Sequence, residues 1–223
     1  MIRVALAGSL SALWLISLPA STQGVPTLKL PKPKTKGQIS LEETIAQRRA
    51  VRAFALTTLT DETLGQLLWA AQGLTAPPQH LRAAPSAGAT YPLETYLVTA
   101  QGIQLYLPQE HALREVLSGD KRAALAAAAL DQTWMRKAAA IIILTALPER
   151  TTRRYGERGR MYIYMEAGHA AQNVHLQAVA LGLGSTPVGA FDEQAIARLL
   201  NLPAGQRPLY LLPIGRPQAD AAQ

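Results

Sequence analysis

Arg48, Arg49 and Arg52 crowd one short stretch of the chain, at the end of a segment patterned as a helix. Guanidinium groups clustered in this way can grip a phosphate through paired, charge-assisted hydrogen bonds. The same cluster also suits a solvated basic turn at a helix C-terminus. A second stretch, Ala84-Pro85-Ser86-Ala87-Gly88-Ala89-Thr90-Tyr91-Pro92, sets small side chains between two prolines, so that backbone N–H and C=O groups can approach a flat ligand. A plain surface loop is the alternative. A third stretch, Pro187-Val188-Gly189-Ala190-Phe191-Asp192, leaves a strand through residues with almost no side chain, and its backbone can reach the edge of a ring. An ordinary strand-to-helix turn competes with that reading.

Other chemistry fits the sequence less well. Cysteine is absent, which excludes disulfides, thiolate metal sites and cysteine nucleophiles, so redox chemistry requires a bound cofactor. Gly182-Leu183-Gly184 resembles the start of a dinucleotide fingerprint but follows a helix and enters a strand, the reverse of the required order. Glu166 and His169 have carboxylate–histidine metal spacing without the second pair that a di-metal bundle needs. Ser86 lacks the flanking glycines of a nucleophile elbow.

The elements that must position these residues belong to one domain. A chain of 223 residues, 48% hydrophobic and 17% charged, has apolar material for a single sizeable core. Its net charge of +7 favours anionic ligands, but aromatic residues make up only 5% and no basic stripe is interleaved with them, which argues against nucleic acid. Arg3 precedes an apolar run from Val4 to Leu18, and small residues follow, so residues 1–24 read as a secretory signal or an uncleaved N-terminal anchor. The domain is then exported, periplasmic or secreted, or tethered through that segment, its one expected membrane contact. Residues 25–39, rich in Pro and Lys, read as a stiff solvated linker. Residues 40–217 form the domain and residues 218–223 a tail.

Ser40 and Glu43 make a capping box that opens a helix near Leu41, running to about Arg49. Thr60 caps a second helix that Gly73 stops. Thr95–Thr99 and Ile103–Leu107 predict a hairpin turning through Gly102, and the pattern after it predicts more helix, with Asp120 capping an alanine-rich segment to about Leu130. Ala138–Ala146 suits a strand buried on both faces. A loop of arginines, Arg150 to Arg160, leads into the longest helix, Met161 to Leu181, whose apolar and small residues cover more than one stripe and require burial at the centre or against a second subunit. Strand Ser185–Val188, a helix from Glu193 to Leu200 and strand Pro208–Ile214 close an α+β domain.

Together these pieces resemble the nitroreductase superfamily, most closely its branch of azoline-oxidase and streptolysin-maturation-type dehydrogenases. The resemblance lies in RRAVRAF at Arg48–Phe54, LLWAAQGLT at Leu67–Thr75, APSAGATYPLETYLV at Ala84–Val98, MEAGHAAQNVHLQAVALGLGSTPVGAFD at Met165–Asp192 and LYLLPIGRP at Leu209–Pro217, in the family's order. It spans roughly Ser40 to Pro217.

The resemblance implies an α+β nitroreductase-like fold, a central mixed sheet flanked by helices, and a homodimer formed through the long helix with two FMN molecules in the interface. Arg48 and Arg52 would contact the ribityl-phosphate together with Arg216, while Arg49 in the same cluster faces solvent. Pro85, Ser86, Ala87 and Ala89 would line the isoalloxazine from the other subunit. Pro187, Val188, Gly189 and Ala190 would pass the ring, with a backbone N–H at Gly189 or Ala190 facing flavin N5. Two departures stand out: Ala50 replaces a serine common in the arginine motif, and Ala89 stands where many relatives have asparagine, the second shared by the azoline-oxidase branch. The implied activity is FMN-dependent hydride transfer by a ping-pong mechanism, with NADH or NADPH as a possible donor. Two alternatives are a flavin- or ligand-binding module without turnover, and a cofactor-free scaffold docking an acidic partner through Arg150 to Arg160.

Overall fold

The computed structural model describes residues 27–218. The leader and the tail after Gln218 lie outside the described residues. In chain order the elements are β1 (Thr27–Lys29), α1 (Leu41–Gln47), α2 (Asp61–Gln72), β2 (Leu74–Ala76), β3 (Leu81–Arg82), β4 (Leu93–Val98), β5 (Gly102–Leu107), β6 (Ala112–Ser118), α3 (Arg122–Ala128), β7 (Ala140–Ala146), α4 (Glu149–Tyr155), α5 (Arg158–Ala180), β8 (Gly184–Ser185), α6 (Glu193–Leu199) and β9 (Arg207–Gly215).

Seven strands form the main sheet, in the order β1-β6-β5-β4-β7-β9-β8. The expected mixed sheet is corrected here: every strand pair in it is antiparallel, and among the described residues parallel pairing is confined to an isolated bridge between Ala50 and Ser185. Strand β7 is an interior strand, between β4 and β9, and all seven of its residues are buried. Alternation sends Ala140, Ile142 and Leu144 into one core and Ile141 and Ile143 into the other. Helices α2 and α5 cover the first face through Leu64, Leu67, Leu68, Ala167 and Val174. On the second face, α3 and α6 contribute Leu125 and Ile196. An α+β sheet covered on both faces is therefore the observed architecture.

The local signals at α1 and α2 act as expected. Ser40 Oγ accepts from the Glu43 backbone N–H at 3.1 Å, and Glu43 returns the bond to the Ser40 N–H at 2.8 Å. Thr60 caps α2, and Gly73 ends it where a Cβ would lie 2.2 Å from the Trp69 ring. Gly182, at φ +68°, stops α5 while the Leu183 N–H reaches back to the Ala178 carbonyl at 2.8 Å.

Four expectations change. Thr27–Lys29 form an edge strand on β6, Leu30 is in the core, and Gln66 bonds both the N–H and the carbonyl of Lys34, so this part of the expected linker belongs to the domain. The helix expected after the hairpin forms as α3, but only after Ala112–Ser118 add a third strand, because this segment has the β5 ladder to complete. The arginine loop is instead helical, forming α4 and the first turn of α5. Strand Ser185–Val188 shrinks to Gly184–Ser185 plus a single bridge from Val188 to Leu211.

Candidate active site

The arginine motif is held by backbone pairing on two sides. Helix α1 stops at Gln47, and Arg48 (φ −57°, ψ 121°) turns the chain into an extended segment. Val51 donates its N–H to the Ser185 carbonyl at 3.1 Å, and the Thr186 hydroxyl donates to the Val51 carbonyl at 2.5 Å. Further on, the Ala55 N–H donates to the Arg216 carbonyl and the Gln218 N–H to the Ala53 carbonyl, each at 3.0 Å. Gly184 permits the close approach, since a Cβ there would meet the Val51 side chain at 2.6 Å. Arg48, Arg49 and Arg52, Ser185 and Gly189 are thus assembled on one scaffold from segments more than a hundred residues apart.

The side chains diverge more than the backbones. Arg48 is half-buried near His175, while Arg49 is exposed and donates to the Ala46 and Arg48 carbonyls at 2.9 and 2.8 Å. Arg52 places its guanidinium 6.0 Å from the Trp134 ring centroid. No ion pair engages Arg48 or Arg52 among the described residues. Arg216 is exposed and lines a cavity with Arg122 and Lys137.

The Pro187–Ala190 segment offers unused donors. Val188 exchanges both backbone bonds with Leu211, at 2.8 and 3.0 Å, which fixes the segment. Pro187, Gly189 and Ala190 are exposed, and among the described residues the backbone N–H groups of Gly189 and Ala190 have no backbone acceptor. Asp192 then caps α6 by accepting from the Ala195 N–H at 3.0 Å.

The Pro85–Ala89 loop lies at a different place on α5. Ala83 accepts a bond from Asn173 at 3.4 Å, Ser86 contacts Glu166, and the Gly88 carbonyl accepts from Arg154 at 3.3 Å, so the loop runs away from His175 along the helix. Gly88 (φ +59°) and Ala89 (φ +53°) are left-handed, and Ser86 Oγ accepts from the Tyr91 N–H at 2.9 Å to close the turn. Between Glu166 and His175 the helix rises about 13 Å. Within one chain this loop and the arginine motif are two half-sites.

Two buried groups that sequence reasoning missed support these half-sites. His175 is buried against Ser185 with Nδ1 2.7 Å from Oγ, and burial, followed by the Arg48 charge, pushes its imidazole down to about 4. Glu166 is buried, and desolvation pushes its carboxyl up to about 7, although the Ser86 hydroxyl and the Arg82 charge oppose the rise. Arg82 stacks over the Tyr91 ring at 4.7 Å and donates to Gln72 at 2.9 Å. No local spacing marks these pairs, because Ser185 and Ser86 reach α5 only through the tertiary fold.

These half-sites fit FMN: among the described residues they hold guanidinium groups without an ion pair for a phosphate, and N–H groups without a backbone acceptor beside residues without bulky side chains. The comparisons agree with that fit. The family model described as "Nitroreductase family" matches residues 45–216. A relative from Methanocaldococcus jannaschii named "Putative nitroreductase MJ1384" is 41% identical over 185 residues, covering 80% of this chain and 92% of its own. Among solved structures, a "putative nitroreductase" from Ralstonia eutropha JMP134 superposes with a TM-score of 0.77 at 24% identity, covering 86% of this chain and 90% of its own. A chain of the E. coli microcin synthetase McbBCD complex gives a TM-score of 0.70 at 22% identity, covering 95% and 85%. These last two establish the fold. With a model spanning most of its length and a relative at this identity, the chain belongs to the nitroreductase family, the FMN-dependent oxidoreductases to which its motifs pointed.

Proposed function

We propose that two copies of this chain pair through α5 and hold FMN between the arginine motif of one and the Pro85–Ala89 loop of its partner. The carrying observation is the Val51 N–H bond to the Ser185 carbonyl, which fixes the unpaired arginines beside the strand that leads to Gly189. Arg48 and Arg52 grip the phosphate, Gly189 and Ala190 point backbone N–H groups at the ring edge, and Pro85, Ser86, Ala87 and Ala89 cover its face. Arg49 remains at the solvent side. Arg216 secures the motif through its carbonyl bond to Ala55.

The homodimer is supported by the outer stripe of α5. Met161, Tyr164 and Met165 are exposed at 44%, 65% and 48%, and Gly168 continues the stripe at helical spacing. Leu41 and Ile45 of α1, the helix packed beside α5, are exposed as well. A two-fold pairing there covers both patches and unites half-sites that one chain keeps apart.

When bound, FMN supplies hydride acceptance and return at its N5 position. Donor and acceptor occupy the same face in turn, which gives ping-pong kinetics, with NADH or NADPH as the reductant. Ala89, in place of the usual asparagine, favours the azoline-oxidase branch, and the similarity in fold to a chain of the microcin synthetase complex is consistent with it. The leader favours action outside the cytoplasm or at a membrane surface.

The test is the visible absorbance of the purified, refolded chain incubated with FMN, followed by reduction with NADH or NADPH and reoxidation with a quinone or nitroaromatic. Yellow protein with parallel double-reciprocal plots is expected. Colourless dimer would reject the flavin site, and bound flavin that never turns over would leave a storage module.

A further inference from the structure

A second cavity, of about 780 Å³, opens where residues 56–61 cross the ends of β4 and β5. Its volume falls within the roughly 300–1,000 Å³ of small-molecule sites. Neither the Gly189–Ala190 backbone nor Arg48 or Arg52 lines it; Arg216, whose carbonyl accepts from Ala55, is the one lining residue it shares with the flavin assignment.

Its lining is both cationic and apolar. Arg122, Lys137 and Arg216 line it, with Asp61 the one acid among the described lining residues. Arg122 is engaged already: Asp120 lies 2.6 Å from its Nη2, and its Nη1 donates to the Ala138 carbonyl at 2.7 Å. Lys137 and Arg216 have no ion pair among the described residues. Leu59, Leu64, Leu97 and Leu113 supply the apolar part of the lining, to which Leu56, 81% exposed, also belongs.

Two polar atoms on this wall find no partner. Thr57 Oγ1 and Gln104 Oε1 are buried without a hydrogen bond among the described residues, and both residues line the cavity. Such orphaned groups are costly unless a ligand or water meets them. The Thr57 hydroxyl can donate to an anion, and the Gln104 amide, turned over, presents its NH2 group.

We propose that this cavity binds an amphipathic carboxylate. The carboxylate sits between Lys137 and Arg216 and accepts from Thr57, while an alkyl or aryl body lies along Leu59, Leu64, Leu97 and Leu113. Coulomb attraction selects the sign of the head group, and burial of apolar area selects the tail. A simple inorganic anion would leave the leucine wall unused.

Octanoate is the probe, titrated into the full flavin-loaded chain by calorimetry, with acetate and octylammonium as controls. One-to-one saturable binding of octanoate is expected, at least tenfold tighter than either control. Lys137→Glu should weaken it more than tenfold, and Thr57→Val, which keeps the shape and removes the hydroxyl, by about tenfold. Flavin content should stay unchanged in both. In methyl spectra the Leu97 and Leu113 signals should shift with saturation. Equal binding of octylammonium, undiminished affinity in Lys137→Glu, a non-saturating isotherm, or shifts confined to other leucines would each overturn the proposal.

Discussion

His175 Nδ1 and Ser185 Oγ, 2.7 Å apart and both buried, tie the long helix to the strand that holds the arginine motif. The imidazole is neutral there, because burial and the Arg48 charge hold it at about 4 rather than 6.5. Between those values the unfolded chain takes up a proton that the folded chain refuses, so this group removes stability as pH falls from 6.5 to 4. Glu166 does the opposite. Its carboxyl stays protonated up to about 7 when folded but ionises near 4.5 when unfolded, so it removes stability as pH rises from 4.5 to 7. Each effect is worth on the order of 3 kcal/mol.

The two opposing slopes should nearly cancel in their shared window, roughly pH 4.5 to 6.5. Glu166→Gln should then show stability rising with pH through that window, and His175→Asn stability falling with it. Urea denaturation across a pH series reads both slopes. Parallel profiles for the parent and both variants would contradict the burial of these groups as titrating sites.

Gly184→Ala and Gly189→Ala separate packing from cofactor approach. The first drives a Cβ into Val51 and should cost about 1–3 kcal/mol while weakening FMN binding, because the arginine segment must move. A Cβ at Gly189 meets nothing closer than Tyr210 at 3.9 Å, so the second should leave thermal stability unchanged yet reduce flavin affinity. Unaltered affinity in Gly189→Ala would remove Gly189 from the ring edge.

Ala89 adopts φ +53°, a left-handed conformation that an alanine side chain disfavours. Ala89→Asn, the residue common in relatives, should therefore raise stability by roughly 0.5–1 kcal/mol, measured by thermal unfolding. Loss of stability would mean that the loop depends on the alanine for packing.

Arg48→Ala and Arg52→Ala should each weaken FMN about tenfold to a hundredfold, the worth of a charge-assisted hydrogen bond. Arg49→Ala should change it little. Met165→Glu, on the exposed stripe of α5, should give monomers in sedimentation and release the flavin with them. A flavin-loaded monomer would refute the shared site.

Leu30 belongs to the core, 8% exposed, although it lies within the Pro- and Lys-rich segment 25–39. Leu30→Ala should destabilise the domain by about 2 kcal/mol, seen as a lower denaturation midpoint. A true linker would show no change.

The chain by itself determined what is written in short-range chemistry. The capping box at Ser40 and Glu43, the Gly182 stop, the apolar run of β7 and the three small-residue or arginine motifs each depend on neighbours a few positions away, so their signal survives without a fold. Tertiary structure decided everything that requires a distant partner. Thr27–Lys29 become a strand only because β6 offers an edge, and Ala112–Ser118 become β6 because β5 lies beside them. The same holds for His175 against Ser185 and for Glu166 beside Ser86, whose burial no local spacing encodes. Composition told which residues could bind an anion; only the packing of the sheet ends brought Arg122, Lys137 and Arg216 to one cavity and set Arg52 beside Trp134.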